Sequence, residues 1–153
     1  MKKISTFLWF DKEAADAAKF YTSVFKDSKI INSTTLENTP SGTVAIITIE
    51  LFGQEYRLMS AGPLFKFNES ISFVINCDNQ EEIDYYWEKL SADANSEQCG
   101  WLKDKFGVSW QVVPTILQEM QQTNDKNRLA RVTEAFLKMK KFDIAKLTKV
   151  FNG

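Results

Sequence analysis

Apolar and polar positions along this chain change period several times, and each change predicts an element. Residues 3–10 form an apolar β run, after which Asp11 is placed to cap a helix. That helix carries Ala14, Ala17, Ala18, Tyr21, Val24 and Phe25 on one side, and its small residues allow a close approach to a sheet. Ser28 to Leu36 and Thr43 to Phe52 alternate or run apolar with many β-branched residues, and Asn38-Thr39-Pro40-Ser41-Gly42 between them reads as a turn. Gln54 to Ser60 completes this group of strands. Ala61-Gly62-Pro63 opens an irregular connection in which Phe65 and Phe67 are expected to act as plugs. A second unit begins at Ser70, with a helix from about Gln80 to Ala92 bearing Ile83, Tyr86, Trp87 and Leu90, followed by two or three strands that end at Pro114. The remainder reads as helical. Thr115 to Gln122 is one short helix, and Asp125 to Lys141 is a longer one turning Leu129, Val132, Phe136 and Met139 inward. A last helix starts at Asp143, where Phe142 and Leu147 occupy the two positions of a hydrophobic staple.

Two stretches occur twice in weakened form. Ile4 to Asp11 is echoed by Ile71 to Asp78, and Phe52 to Met59 by Phe106 to Val113. Two copies of one strand–helix–strands unit, the second with a shorter middle, explain both echoes. The chain then reads as a single domain over residues 1–153: module one at 3–60, module two at 70–114 and a helical extension at 115–153. The extension has no counterpart in the repeat. It is expected to cover an open sheet edge, with closure of a cleft and a dimer contact as the other readings.

Composition narrows the class. The 153 residues are 44% hydrophobic and 25% charged, as an ordinary globular chain is. Nineteen basic against 20 acidic side chains give a net charge of −1, which lacks the electrostatic footprint of a nucleic-acid binder. The apolar run near the N-terminus is broken by Asp11 and Lys12, so neither a membrane span nor a signal peptide is expected, and the reading is cytoplasmic. Cys77 and Cys99 are too few for a disulfide framework and lack metal-knuckle spacing; they read as buried thiols.

Several segments together resemble a known family: Phe7-Leu8-Trp9-Phe10-Asp11, Phe20-Tyr21, Gly62 to Phe67, Met139-Lys140-Lys141 and, most specifically, Cys99 to Pro114. They look like the PhnB-like, or 3-demethylubiquinone-9 3-methyltransferase-like, branch of the glyoxalase/bleomycin-resistance (vicinal oxygen chelate) superfamily. The resemblance implies an α+β fold in which two βαβββ modules form a curved cup with helices outside, assembled as a homodimer. In metal-dependent members each module supplies one ligand from its first strand and one from its last. Through the repeat, those positions fall near Ser5, Arg57, Ser72 and Gln111, with Thr6 or Glu55 one or two residues away. Histidine is absent, and a guanidinium, two hydroxyls and an amide are poor donors for a divalent ion, so no catalytic metal and no other cofactor are expected.

The resemblance instead implies a pocket for a small molecule. With Ser5 and Ser72 facing inward, alternation turns Phe7, Trp9, Val74 and Asn76 inward as well, opposite Arg57, Met59, Ser109 and Gln111. For Arg57 two readings stand: a forked contact with a ligand carboxylate, phosphate or phenolate, or a structural pair with Glu55 or Glu50. Trp101 and Trp110, flanking Lys103 and Asp104, are expected in the core, with an aromatic mouth as the other reading. Cys99 has no histidine to serve as its base and reads as inert. Glu81 and Glu82 suit the dipole of the second helix, and Arg128, Arg131, Lys138, Lys140 and Lys141 read as a solvated helical face. Gly53, Gly62, Gly100 and Gly107 form no nucleotide-binding array, so nothing in the residues supports methyl transfer from S-adenosylmethionine. The preferred function is metal-independent binding of a small aromatic or anionic compound. A metal-free isomerase, lyase or transferase using acids such as Glu55, and a plugged cup acting through its dimer surface, are the alternatives.

Overall fold

The computed structural model describes residues 3–153, which divide into two compact units, one ending at Lys66 and one beginning at Phe67. The first unit runs β1 (Thr6–Phe10), α1 (Ala14–Val24), β2 (Ser28–Thr39), β3 (Gly42–Leu51) and β4 (Gln54–Ser60), a βαβββ module. Its sheet has the order β1-β4-β3-β2, with β1 parallel to β4 and the remaining pairs antiparallel. Leu8, Phe10, Ile47, Ile49, Leu51 and Leu58 are buried on the face that α1 covers with its Ala14, Ala17, Ala18, Tyr21 and Val24. The three alanines are completely buried where α1 packs on the sheet, on the side of the helix that their spacing predicts.

The second unit repeats the order: β5 (Phe73–Cys77), α2 (Gln80–Leu90), β6 (Trp101–Lys103) and β7 (Ser109–Pro114), then α3 (Thr115–Gln121), α4 (Lys126–Leu137) and α5 (Ile144–Asn152). Its sheet is ordered β5-β7-β6, again with the first strand parallel to the last and the last antiparallel to its predecessor. Both echoes therefore mark equivalent places, the first strand of each module and the hairpin ahead of its last strand. The strand corresponding to β2 is reduced to a 3-10 turn at Ala94–Ser96 and one bridge, Gln98 to Trp101. Ile75, Cys77, Leu102, Trp110 and Val112 face α2 and its Ile83, Tyr86 and Leu90.

Several expected boundaries and roles are corrected, each for a physical reason. The first strand begins at Thr6 rather than residue 3. Asp11 does not cap α1. The Phe10 and Asp11 carbonyls accept from the Ala61 and Gly62 N–H groups, which holds this stretch to the chain after β4, so the helix starts later, after Glu13, and the Ala14 N–H donates to Ser60 Oγ at 3.0 Å. The helix expected to reach Lys141 ends at Leu137, because the Met139 and Lys140 carbonyls accept from Cys99 and Gly100 N–H, both at 2.8 Å. Phe65 is no plug: it is 59% exposed, with its ring edge-on to Trp9 at 5.1 Å. Of the two tryptophans expected in the core, Trp110 is buried together with Asp104, but Trp101 is only half-buried because it lies on the β6 face turned away from α2. At α5, Asp143 caps as predicted, accepting from Lys146 N–H at 2.9 Å, and both staple residues are buried. Among the described residues, no helix is long and apolar enough to cross a membrane.

Candidate ligand-binding site

On the first sheet, the face away from α1 carries Phe7 opposite Arg57 and Trp9 opposite Met59, so strand pairing brings these four together as expected. Ser5 lies just ahead of β1, half-buried. Arg57 Nε sits 3.2 Å from Glu55 Oε1, while Glu50 pairs with Lys29 at 3.0 Å. Of the two readings of Arg57, the pair with Glu55 is formed. Trp9 Nε1–H donates to the Gly62 carbonyl at 2.8 Å.

On the second sheet, alternation turns Val74 and Asn76 of β5, Trp101 and Lys103 of β6, and Ser109, Gln111 and Val113 of β7 away from α2. A cavity of about 750 Å³ lies against this face, within the usual size range of small-molecule sites. Leu117 and Gln118 of α3, Phe136 and Leu137 of α4, and Phe142 form its opposite wall. The extension thus covers the chain ahead of β6, where it accepts the Cys99 and Gly100 N–H groups, and also walls the open face of the sheet. Gln118 Nε2–H donates to Asn76 Oδ1 at 2.6 Å, tying α3 to β5.

The polar groups around the cavity are nearly all engaged. Gln111 Nε2–H donates to Ser72 Oγ at 2.9 Å, and Lys103 Nζ lies 2.5 Å from Glu69 Oε1. Ser109 differs in being fully buried while its Oγ has no hydrogen-bond partner among the described residues. An unsatisfied buried hydroxyl costs about 1–3 kcal/mol, so one left facing a cavity calls for a partner from outside the chain. Of the expected site residues, Ser109 and Gln111 line the cavity, while Ser72 and Asn76 do not line it and are hydrogen-bonded to Gln111 and Gln118.

Trp101, Lys103 and the whole extension wall were not among the expected site residues. The signal for the first two was present as alternation in β6, where Leu102 points to the core and its neighbours away. Trp110 is core, and its Nε1–H donates to Asp104 Oδ2 at 2.8 Å. Most of the basic side chains of the extension have specific partners as well: Lys138 with Glu134, Lys140 with Glu97, Lys141 with Asp84, and Arg131 with the Val150 and Phe151 carbonyls.

The residues at the four metal-ligand positions do not fit a divalent ion. Arg57 is a cation held by Glu55, and Ser72 and Gln111 are neutral groups bonded to each other. Among the described residues, no group of three or more His, Cys, Asp or Glu is placed to hold a metal.

The two cysteines differ. Burial, with smaller contributions from Glu82 and Asp78, pushes the Cys77 thiol up to about 12, whereas Cys99 is half-buried at the cavity edge. A thiol with so high a pKa holds almost no reactive thiolate at neutral pH. A disulfide reagent is therefore expected to label one thiol of the native protein quickly, with that phase lost in Cys99→Ser and the second thiol titrating only on unfolding. Equal rates for both would contradict this assignment.

Parallel first and last strands in each module, with a helix packed on one face of each sheet, are the fold of the glyoxalase/bleomycin-resistance superfamily. Residues 2–113 match the family described as 3-demethylubiquinone-9 3-methyltransferase. The chain belongs to this PhnB-like family. It is 32% identical to a PhnB protein from Bacillus cereus, described as a candidate 3-demethylubiquinone-9 3-methyltransferase, covering 74% of this chain and 100% of that one with a TM-score of 0.62. A Pseudomonas aeruginosa protein shares the fold at 16% identity and TM-score 0.57, covering 74% and 98% of the two chains. So does the fosfomycin resistance protein FosX from Listeria monocytogenes, at 16% identity and TM-score 0.56, covering 80% and 98%. A variant of that protein has been solved with Mn(II) and a dihydroxypropylphosphonic acid. No curated protein matches this chain. The family match stops at residue 113, so the helices that wall the cavity lie beyond it.

Proposed function

We propose that this protein binds a small aromatic or anionic organic molecule without a metal, and that the cavity against the second sheet holds it. The observation that carries this reading is the buried, partnerless Ser109 hydroxyl at the floor of a hollow whose walls include Trp101, Phe136 and Phe142. A flat ligand would contact these rings while one polar atom satisfies the hydroxyl. Metal independence is supported by the donor set, which offers a paired guanidinium and neutral groups where an ion would need anionic or imidazole ligands. Binding is favoured over catalysis because the Cys99 thiol is bonded to the Gln98 amide and the Leu137 carbonyl rather than to a base, and the Lys103 ammonium beside Ser109 is engaged by the Glu69 carboxylate.

A thermal-shift screen of aromatic compounds in the presence of a chelator tests this. One class is expected to raise the unfolding midpoint, and Val113→Trp, which fills the cavity, is expected to abolish the rise while the circular dichroism spectrum is retained. Absence of any shift would overturn the reading, and a shift that needs added metal would overturn its metal-free part. Turnover of the bound compound would establish an enzyme instead.

A further inference from the structure

We infer that Lys103 and Ser109 form the head-group subsite of this cavity, that the ligand is an aromatic carboxylate, and that Glu69 stands in for its carboxylate when no ligand is present. This rests on the cavity being a binding site and names what it selects. Lys103 and Ser109 are directly opposite each other on β6 and β7, on the face that lines the cavity. Paired residues in an antiparallel ladder hold their side chains side by side, so an ammonium and a hydroxyl donor share one spot. The hydroxyl has no partner among the described residues. The ammonium has one, Glu69 Oε1 at 2.5 Å, donated by the irregular segment ahead of β5.

Comparison with the Arg57–Glu55 pair of the first sheet shows that the Lys103–Glu69 pair is the replaceable one. Glu55 lies two residues from Arg57 on the same strand, and its side chain is only 14% exposed. Glu69 is anchored by no strand or helix and is 60% exposed, so exchange of its carboxylate for another costs little burial or order. A ligand carboxylate in its place would accept from Lys103 Nζ and from the Ser109 hydroxyl at once, which Glu69 does not do. Beyond this head group, Val74, Trp101, Leu117 and Phe136 offer an apolar slot for an aromatic body. Charge is conserved in the exchange: one carboxylate leaves the ammonium as another arrives, and the freed Glu69 enters water.

The probes are naphthoate and its neutral isostere naphthamide, titrated by calorimetry against the whole protein. Naphthoate is expected to bind more tightly than naphthamide. Glu69→Gln, a surface change, is expected to tighten naphthoate about three- to fivefold by removing the internal competitor. Lys103→Met is expected to weaken naphthoate about tenfold, with naphthamide unchanged. Equal affinity for the two probes, or weaker naphthoate binding in Glu69→Gln, would overturn the subsite while leaving the cavity as a binding site. Failure of both probes to bind would overturn the subsite together with the binding reading on which it rests.

Discussion

Asp104→Ala is expected to destabilise the protein by about 3–5 kcal/mol, because the carboxylate is buried and bonded on both oxygens. Its Oδ1 accepts from the Phe106 and Val108 N–H groups at 2.9 and 3.1 Å, and its Oδ2 accepts from Trp110 Nε1–H at 2.8 Å. Hydrogen bonds to a charged group are among the stronger ones, and a methyl group in its place orphans the Val108 amide and the indole N–H in a dry interior. The loop of the β6–β7 hairpin depends on the same residue through its backbone, with Asp104 N–H donating to Val108 O and Gly107 N–H to Asp104 O. For a chain of this length the loss corresponds to a fall in melting temperature on the order of 10 °C. Asp104→Asn is expected to fall between, since its amide oxygen can serve one side while its NH2 opposes a donor on the other. Urea unfolding followed by tryptophan fluorescence measures both. A loss below about 1 kcal/mol for the alanine variant would show that the turn does not depend on this side chain.

The same residue shows where reading from sequence stops. Asp104 beside Lys103 looks like a charged pair at a mouth, yet adjacent strand residues face opposite sides. Lys103 goes to the cavity, and Asp104, in the turn that follows, goes inward to Trp110. What depends on local period was legible: the buried stripe of α1, the β2–β3 and β3–β4 hairpins, and the cap and staple at Asp143. What depends on distant backbone groups was not. The start of α1 is set by Ser60, 46 residues away, and the end of α4 by two N–H groups ahead of β6 that need its following carbonyls. No pattern within either helix carries that information.

The candidate site divides along the same line. Alternation from Ser72 and Gln111 correctly groups Ser72, Val74 and Asn76 with Ser109 and Gln111, because a strand offers only two faces. The extension wall was illegible, since it has no copy in the repeat to align with and no period of its own that names the surface it packs on. Its placement follows from continuity, as β7 runs directly into α3, and from the short stretch at Cys99-Gly100 that receives it.

That reception point gives the second large effect: Gly100→Ala is expected to cost about 3 kcal/mol or more and to loosen the cavity wall, whereas Gly42→Ala costs about 1–2 kcal/mol. The two glycines have nearly the same backbone, φ +80° and +79°, a conformation that side-chain-bearing residues adopt only with strain. They differ in surroundings. A Cβ on Gly42 meets nothing within 4 Å, while one on Gly100 would stand 2.9 Å from the Val112 carbonyl oxygen and 2.4 Å from the Phe142 ring. The carbonyl cannot retreat, because it belongs to the central strand of the sheet, and Phe142 is buried at the start of α5. Relief must come from separation of the Met139-Lys140 segment from Cys99-Gly100, with loss of their two N–H···O bonds. Hydrogen exchange in Gly100→Ala should therefore quicken at the Cys99 and position-100 amides and in α5 before it does in α1, and any ligand stabilisation should shrink. In Gly42→Ala the exchange pattern should be that of the parent protein. Equal losses of stability in the two variants would mean that backbone strain alone is at work, and that the extension is not held to the sheet at this point.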